Sequence, residues 1–172
     1  MTYPIVPVFP AGYAPVPADF DNWIQEPFEW LTSKPVFRAE YHGTLSLPAT
    51  TRTTIPYDTI GDDPYSGWNA TSHYWTPPPQ GSGWYEISTT AFATNPGSAT
   101  QQLVAAVYLN GALYFQSTCW GATGHACGTT MAVIAYLTAG TQVQGNIYSQ
   151  VTTSTTATAG QYPTMEIVWL ST

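Results

Sequence analysis

Residues 101–148 contain no Asp, Glu, Lys or Arg, and this uncharged stretch constrains the fold more than any other. Its first half reads Leu103-Val-Ala-Ala-Val-Tyr-Leu109, then Asn110-Gly111, then Ala112-Leu-Tyr-Phe-Gln116. Asn-Gly between two apolar runs predicts a two-residue hairpin, because both turn positions need φ > 0. In its second half, Met131–Leu137 is separated from Gln142–Tyr148 by Thr138-Ala-Gly-Thr141. A short Gly-containing connection between two apolar runs predicts a second hairpin.

The remaining strands follow from period-two patterning. Val36–Tyr41, a threonine-rich Thr50–Tyr57, an edge segment within Trp68–Trp75, Gly83–Phe92 and a closing Thr164–Leu170 all read as strands. Asp58–Gly67 and Val151–Gly160 read as loops by composition. Several strands are apolar on both sides: Met131, Val133, Ala135 and Leu137 alternate with Ala132, Ile134 and Tyr136. A sheet with one wet face should alternate apolar with polar, so the second face is expected to be covered by another subunit.

Ahead of the strands lies a different kind of chain. Pro4, Pro7, Pro10, Pro15 and Pro17 punctuate an apolar segment, and each removes a backbone donor and favours extended neighbours. This predicts an arm that lies along another surface, with Tyr3, Ile5, Val8, Phe9 and Tyr13 as its anchors. Asp19 then caps a short helical segment carrying Phe20, Trp23 and Ile24, which Pro27 restarts before Phe28, Trp30 and Leu31. The chain of 172 residues therefore divides into an arm with a short helix, 1–35, and one domain, 36–172.

Charge excludes several partners. Only 8% of residues are charged, and the net charge is −7 with Lys34, Arg38 and Arg52 as the bases, so no surface can neutralise a phosphate backbone and nucleic acid is not expected as a partner. No apolar run is long enough to span a bilayer, and no membrane partner is expected. The start, Met-Thr-Tyr-Pro-Ile-Val-Pro-Val-Phe-Pro10, lacks the basic region and continuous apolar core of a secretory signal, so synthesis in a cytoplasm is expected.

Reactive groups are sparse. Between Ile87 and Met165, His125 is the one titratable acid or base besides the cysteines and tyrosines. Asp58, Asp62 and Asp63 surround a turn but match no calcium-loop spacing. His42, His73 and His125 form no metal-ligand pattern. Neither a catalytic residue nor a metal or cofactor is expected. A polysaccharide-cleaving enzyme would have to draw paired carboxylates from Glu40, Asp58, Asp62, Asp63 and Glu86. Cys119 and Cys127 flank seven residues and can close that loop as a disulfide; cytoplasmic synthesis opposes it, and later release from the cell permits it. Exposed aromatics can stack on sugars, which makes Trp68, Trp75 and Trp120 candidates for binding a host-surface glycan.

The order of Gly83-Trp-Tyr-Glu-Ile, Tyr-Leu-Asn-Gly111, Leu137-Thr-Ala-Gly-Thr-Gln-Val143 and Met165-Glu-Ile-Val-Trp-Leu170 resembles the complement globular-head and tumour-necrosis-factor-like jelly rolls. The resemblance implies an all-β jelly-roll sandwich of about eight to ten antiparallel strands. It also implies a homotrimer built around apolar sheet faces, with Tyr108, Ile134, Tyr136 and Trp169 expected at the axis. The front half, with Asp21-Asn-Trp-Ile-Gln-Glu-Pro-Phe28 and Asp58-Thr-Ile-Gly-Asp-Asp-Pro-Tyr-Ser-Gly-Trp68, is similar to small virion proteins of tailed phages. That implies a non-enzymatic particle protein, a capsid decoration, minor capsid or minor tail protein, whose partners are capsid or tail proteins of the same virion. The alternative expectation is a glycan-binding receptor-recognition module.

Overall fold

Asn110 and Gly111 take φ of 50° and 77°, the left-handed pair that a tight hairpin requires. They join β8 (Gln101–Leu109) to β9 (Ala112–Gly121), which pair antiparallel along their length. The structure is a computed structural model, and it describes residues 34–94, 101–122, 125–156 and 161–171. The expected arm and its anchors Tyr3, Ile5, Val8, Phe9 and Tyr13, together with the helical segment, lie outside the described residues. Among those described there is no helix, and Pro35–Ser171 form one compact unit.

Thirteen strands are present among the described residues. In chain order they are β1 (Val36–Glu40), β2 (Thr44–Leu47), β3 (Thr51–Thr54), β4 (Thr59–Asp62), β5 (Trp68–Asn69), β6 (Tyr74–Trp75), β7 (Gly83–Thr94), β8, β9, β10 (Ala126–Leu137), β11 (Val143–Ser149), β12 (Thr153–Thr156) and β13 (Thr164–Ser171). One sheet runs β10-β7-β13-β1-β4. The other runs β5-β6-β11-β8-β9, with β3 sharing the β6 side of β11, and β2 pairs with β12. All pairings are antiparallel. The two sheets enclose a core of alternate inward residues, among them Phe37, Tyr85, Ile87, Leu103, Val107, Leu137, Ile147, Met165 and Ile167. This is a jelly-roll sandwich.

Two expectations need correction. Met131–Leu137 and Gln142–Tyr148 do not form a hairpin: β10 pairs with β7, and β11 pairs with β8, in the opposite sheet. The Thr138–Thr141 turn, closed by the Thr141 amide donating to the Thr138 carbonyl at 3.0 Å and by Gly140 at φ 81°, carries the chain across the sandwich instead. Both inward sets, Met131, Ala135 and Leu137 on one strand and Val143 and Ile147 on the other, are buried in the same core. A hairpin would have placed both sets on one face of one sheet. Likewise, the stretches read as loops contain β4 and β12. Their Asp, Gly and Thr content is tolerated because β4 is a fully exposed edge strand and β12 pairs with β2 alone.

The open flank of the sandwich is tied by side chains. β9 and β10 are the terminal strands of their sheets, so no backbone ladder joins them. Cys119 and Cys127 are bridged by a disulfide, Ser117 and Thr129 share a hydrogen bond at 2.9 Å, and the Tyr114 hydroxyl donates to the Ile134 carbonyl at 3.4 Å. A ring of this size contributes roughly 2–3 kcal/mol by limiting the unfolded chain. Opposite Val107 and Tyr108 the register slips by one residue, and this bulge interrupts an otherwise regular apolar edge.

Candidate interaction surface

The outward side of the β10-β7-β13-β1-β4 sheet can be followed row by row from the register. Tyr136 lies beside Trp84; the next row is Ile134, Glu86, Val168 and Val36; then come Ala132, Ser88, Glu166, Arg38 and Asp62. The rows grade from apolar to charged. Ile134 is 56% exposed, Tyr136 51% and Trp84 45%, and the Trp84 and Tyr136 rings meet edge to face at 5.5 Å. Round the flank, Leu113, Tyr114 and Phe115 of β9 are also exposed. Large aromatic and aliphatic groups exposed in adjoining rows of one sheet face mark a surface for association rather than for solvent.

The polar end of the same face is internally paired. Arg38 donates to Glu166 and lies 3.6 Å from Asp62; Glu166, first through its hydrogen bond and then through its charge, raises the Arg38 pKa. Glu86, Ser88, Glu166 and Val168 line a shallow depression between these two zones.

The four residues expected at a trimer axis do not lie together. Ile134 and Tyr136 share the apolar row described above. Trp169 points inward, where it packs against the core and occupies the space beside Gly83. Tyr108 belongs to the other sheet, half-buried under the Arg52 guanidinium at 5.6 Å. Sequence patterning placed apolar residues on two faces correctly, but the choice of which face is inner needed the sheet order. Trp84, an outward aromatic flanked by the inward Gly83 and Tyr85, belongs to this row but is not among the residues expected at the axis.

The glycan candidates are also separated. Trp75 is 1% exposed and cannot stack on a sugar. It is core: its ring meets Tyr85 edge to face at 5.8 Å, and its Nε1 donates to Asp63 Oδ1 at 3.2 Å. Trp68 is half-buried, stacked on Phe37 at 5.3 Å. Trp120 alone of the three is open to solvent, at 62%, on the edge strand β9.

Asp63 explains this arrangement. Its carboxylate accepts from the Gly67 and Trp68 amides, both at 2.9 Å, as well as from Trp75. The acid thus closes the β4–β5 loop onto the core. Replacing Asp63 by Ala is expected to cost about 2–3 kcal/mol, since three donors lose a charged acceptor. That corresponds to a thermal midpoint lower by about 4–12 °C, with an altered Trp fluorescence; a midpoint within 1 °C of the parent would contradict the assignment.

The other acids are held apart. Asp58 accepts from the His42 amide at 3.0 Å, Glu40 contacts His42 Nε2 at 2.7 Å, and Asp62 faces Arg38. Among the described residues no three His, Cys, Asp or Glu side chains converge on a metal site.

No known family profile matches the sequence, and no curated protein sequence matches it. Solved structures do match in fold. The globular domain of zebrafish complement 1qA protein is 10% identical and superposes with a TM-score of 0.57, covering 80% of this chain and 98% of its own. Murine APRIL is 12% identical with a TM-score of 0.58, over 78% and 98% of the two chains. The PRD1 vertex protein P5 is 14% identical with a TM-score of 0.60, over 79% and 96%. At these identities the likeness is one of fold: the described domain is a jelly roll of the kind found in complement globular heads, in APRIL and in a vertex protein.

Proposed function

We propose that this protein is a non-enzymatic component of a phage particle: a homotrimeric jelly roll attached to capsid or tail through its N-terminal arm. The observation that carries the oligomer is the exposed row of Trp84, Ile134 and Tyr136, which adjoins the exposed aromatics of the β9 flank. An isolated subunit would leave this apolar surface in water at roughly 25 cal/mol per Å². Closed rotational symmetry covers it with the same surface of neighbouring copies. The fold likeness to the PRD1 vertex protein P5 supports a place on a virion.

Attachment rests on the sequence of residues 1–17. A Pro-rich extended segment loses little further conformational freedom when it docks, and its alternating Tyr3, Ile5, Val8, Phe9 and Tyr13 can fill apolar pockets on a preformed lattice. Deleting residues 1–17 is expected to abolish co-sedimentation with particles while leaving the oligomer and its thermal midpoint intact. An arm-less protein that still decorates particles would overturn the anchoring role.

A further inference from the structure

The outward side of the other sheet holds a feature that the particle role does not use. Arg52 of β3 lies across this face, 5.6 Å from the Tyr108 ring and 5.8 Å from the Tyr148 ring, and its Nη2 donates to Gln116 Oε1 at 2.6 Å. Val104, the register partner of Tyr148, and Ala106 on the same strand face outward yet are buried. Nη1 is shielded from solvent and has no hydrogen-bond partner among the described residues. Strands β3, β8, β9 and β11 contain no acid, so Arg52 differs from Arg38, which is neutralised by Asp62 and Glu166. In a chain of net charge −7, Arg52 is clamped on an acid-free face and has no carboxylate partner among the described residues.

Beside it opens a shallow cleft lined by Thr50, Arg52, Gln102, Val104, Gln116 and Tyr148. Thr50 has a φ of 58°, a conformation that is costly for a β-branched residue and that gathers at functional sites. We propose that this cleft binds the carboxylate of an acidic sugar, a sialic or uronic acid residue of a glycan. The guanidinium, already ordered by stacking and by Gln116, offers the carboxylate the second Nη2 hydrogen as a single charge-assisted bond, with little further loss of side-chain freedom. Tyr148 offers a ring face to the apolar side of a sugar, and Gln102, Gln116 and Thr50 offer groups for its hydroxyls. The site lies on the sheet opposite to the Ile134–Tyr136 row, so it stands or falls independently of the trimer.

The test is a chemical-shift titration of the full chain with N-acetylneuraminic acid and glucuronic acid, with glucose, acetate and an Asp-rich peptide as comparisons. An acidic sugar is expected to bind with a dissociation constant on the order of millimolar, as open shallow sites do, perturbing Arg52, Gln116 and Tyr148. Arg52→Gln is expected to weaken binding by about tenfold or more. Gln102→Ala, which leaves the guanidinium in place, is expected to weaken the sugar several-fold and leave acetate unchanged. Absence of perturbation by either acidic sugar at tens of millimolar, or equal affinity in Arg52→Gln, would overturn the proposal. Acetate or the peptide binding as tightly as the sugars would overturn the saccharide assignment.

Discussion

Replacing Ile134 by Asp is expected to convert the proposed trimer into a folded monomer of 18.7 kDa. Ile134 is 56% exposed in the isolated subunit, so the subunit itself loses little when its side chain becomes polar. In an assembly closed around this face the same position is desolvated, and the new carboxylate stands beside Glu86, its register partner on β7. Burying an unpaired charge next to a like charge costs several kcal/mol at each contact. Three-fold symmetry repeats that loss at every interface, so even about 2 kcal/mol per contact shifts the overall equilibrium by roughly four powers of ten. Tyr136→Ala acts in the same direction through lost packing with Trp84. Sedimentation velocity reads both. Unchanged sedimentation of Ile134→Asp, with an unchanged thermal midpoint, would remove this face from the interface.

Gly145→Val is expected to be the most destabilising single substitution on the inner side of β11. A Cβ at Gly145 would press on the Tyr57 hydroxyl and stand 3.2 Å from Tyr57 Cζ and 3.3 Å from Thr89 Oγ1. Tyr57 cannot give way, because its hydroxyl shares a hydrogen bond with Thr89 Oγ1 at 3.1 Å and donates to the Thr164 carbonyl at 3.2 Å. The phenol therefore joins β7 and β13 to the chain that follows β3, through the space that the missing side chain leaves. Burial pushes the Tyr57 pKa up, against the smaller opposing effect of Thr89, as befits a hydroxyl held neutral in a core. Overpacking of this kind costs about 3 kcal/mol or more, a fall in thermal midpoint of roughly 6–12 °C. Gly145→Ala should lose less in a Tyr57→Phe background than alone, because the hydroxyl is the first atom met. A midpoint for Gly145→Val within 2 °C of the parent would contradict this packing.

Much of this architecture is legible in the residues, and the failures have physical causes. Asn110-Gly111 specified its hairpin because few residues tolerate two consecutive positive φ values. Alternation in β7 separated the buried Tyr85, Ile87 and Ala91 from Trp84, Glu86 and Ser88, since a strand with one inner face leaves that signature. Thr138-Ala-Gly-Thr141 misled, because a Gly-containing turn looks the same whether the next strand pairs beside the last one or faces it across the core. Sheet membership is decided by long-range partners such as Ala105 for Ile147 and Ile87 for Val133, which local pattern does not encode. Trp75 illustrates the same limit at the candidate site: a Trp among Pro and Thr reads as exposed until Asp63, twelve residues earlier, is seen to satisfy its indole nitrogen. Arg52, in a Thr-rich strand, counts in the sequence only as one of three bases, since its tyrosine partners and Gln116 come from strands more than fifty residues away.

In the proposed assembly the apolar row on the β10-β7-β13 face is covered by copies of the same chain. The native mass of the purified 172-residue chain by light scattering, at low and at high salt, tests this. A mass of three times 18.7 kDa that persists in high salt is the predicted result, because apolar burial is not screened as ion pairs are. A mass of 18.7 kDa at both salt concentrations would contradict it and leave Trp84, Ile134 and Tyr136 without a self-made cover.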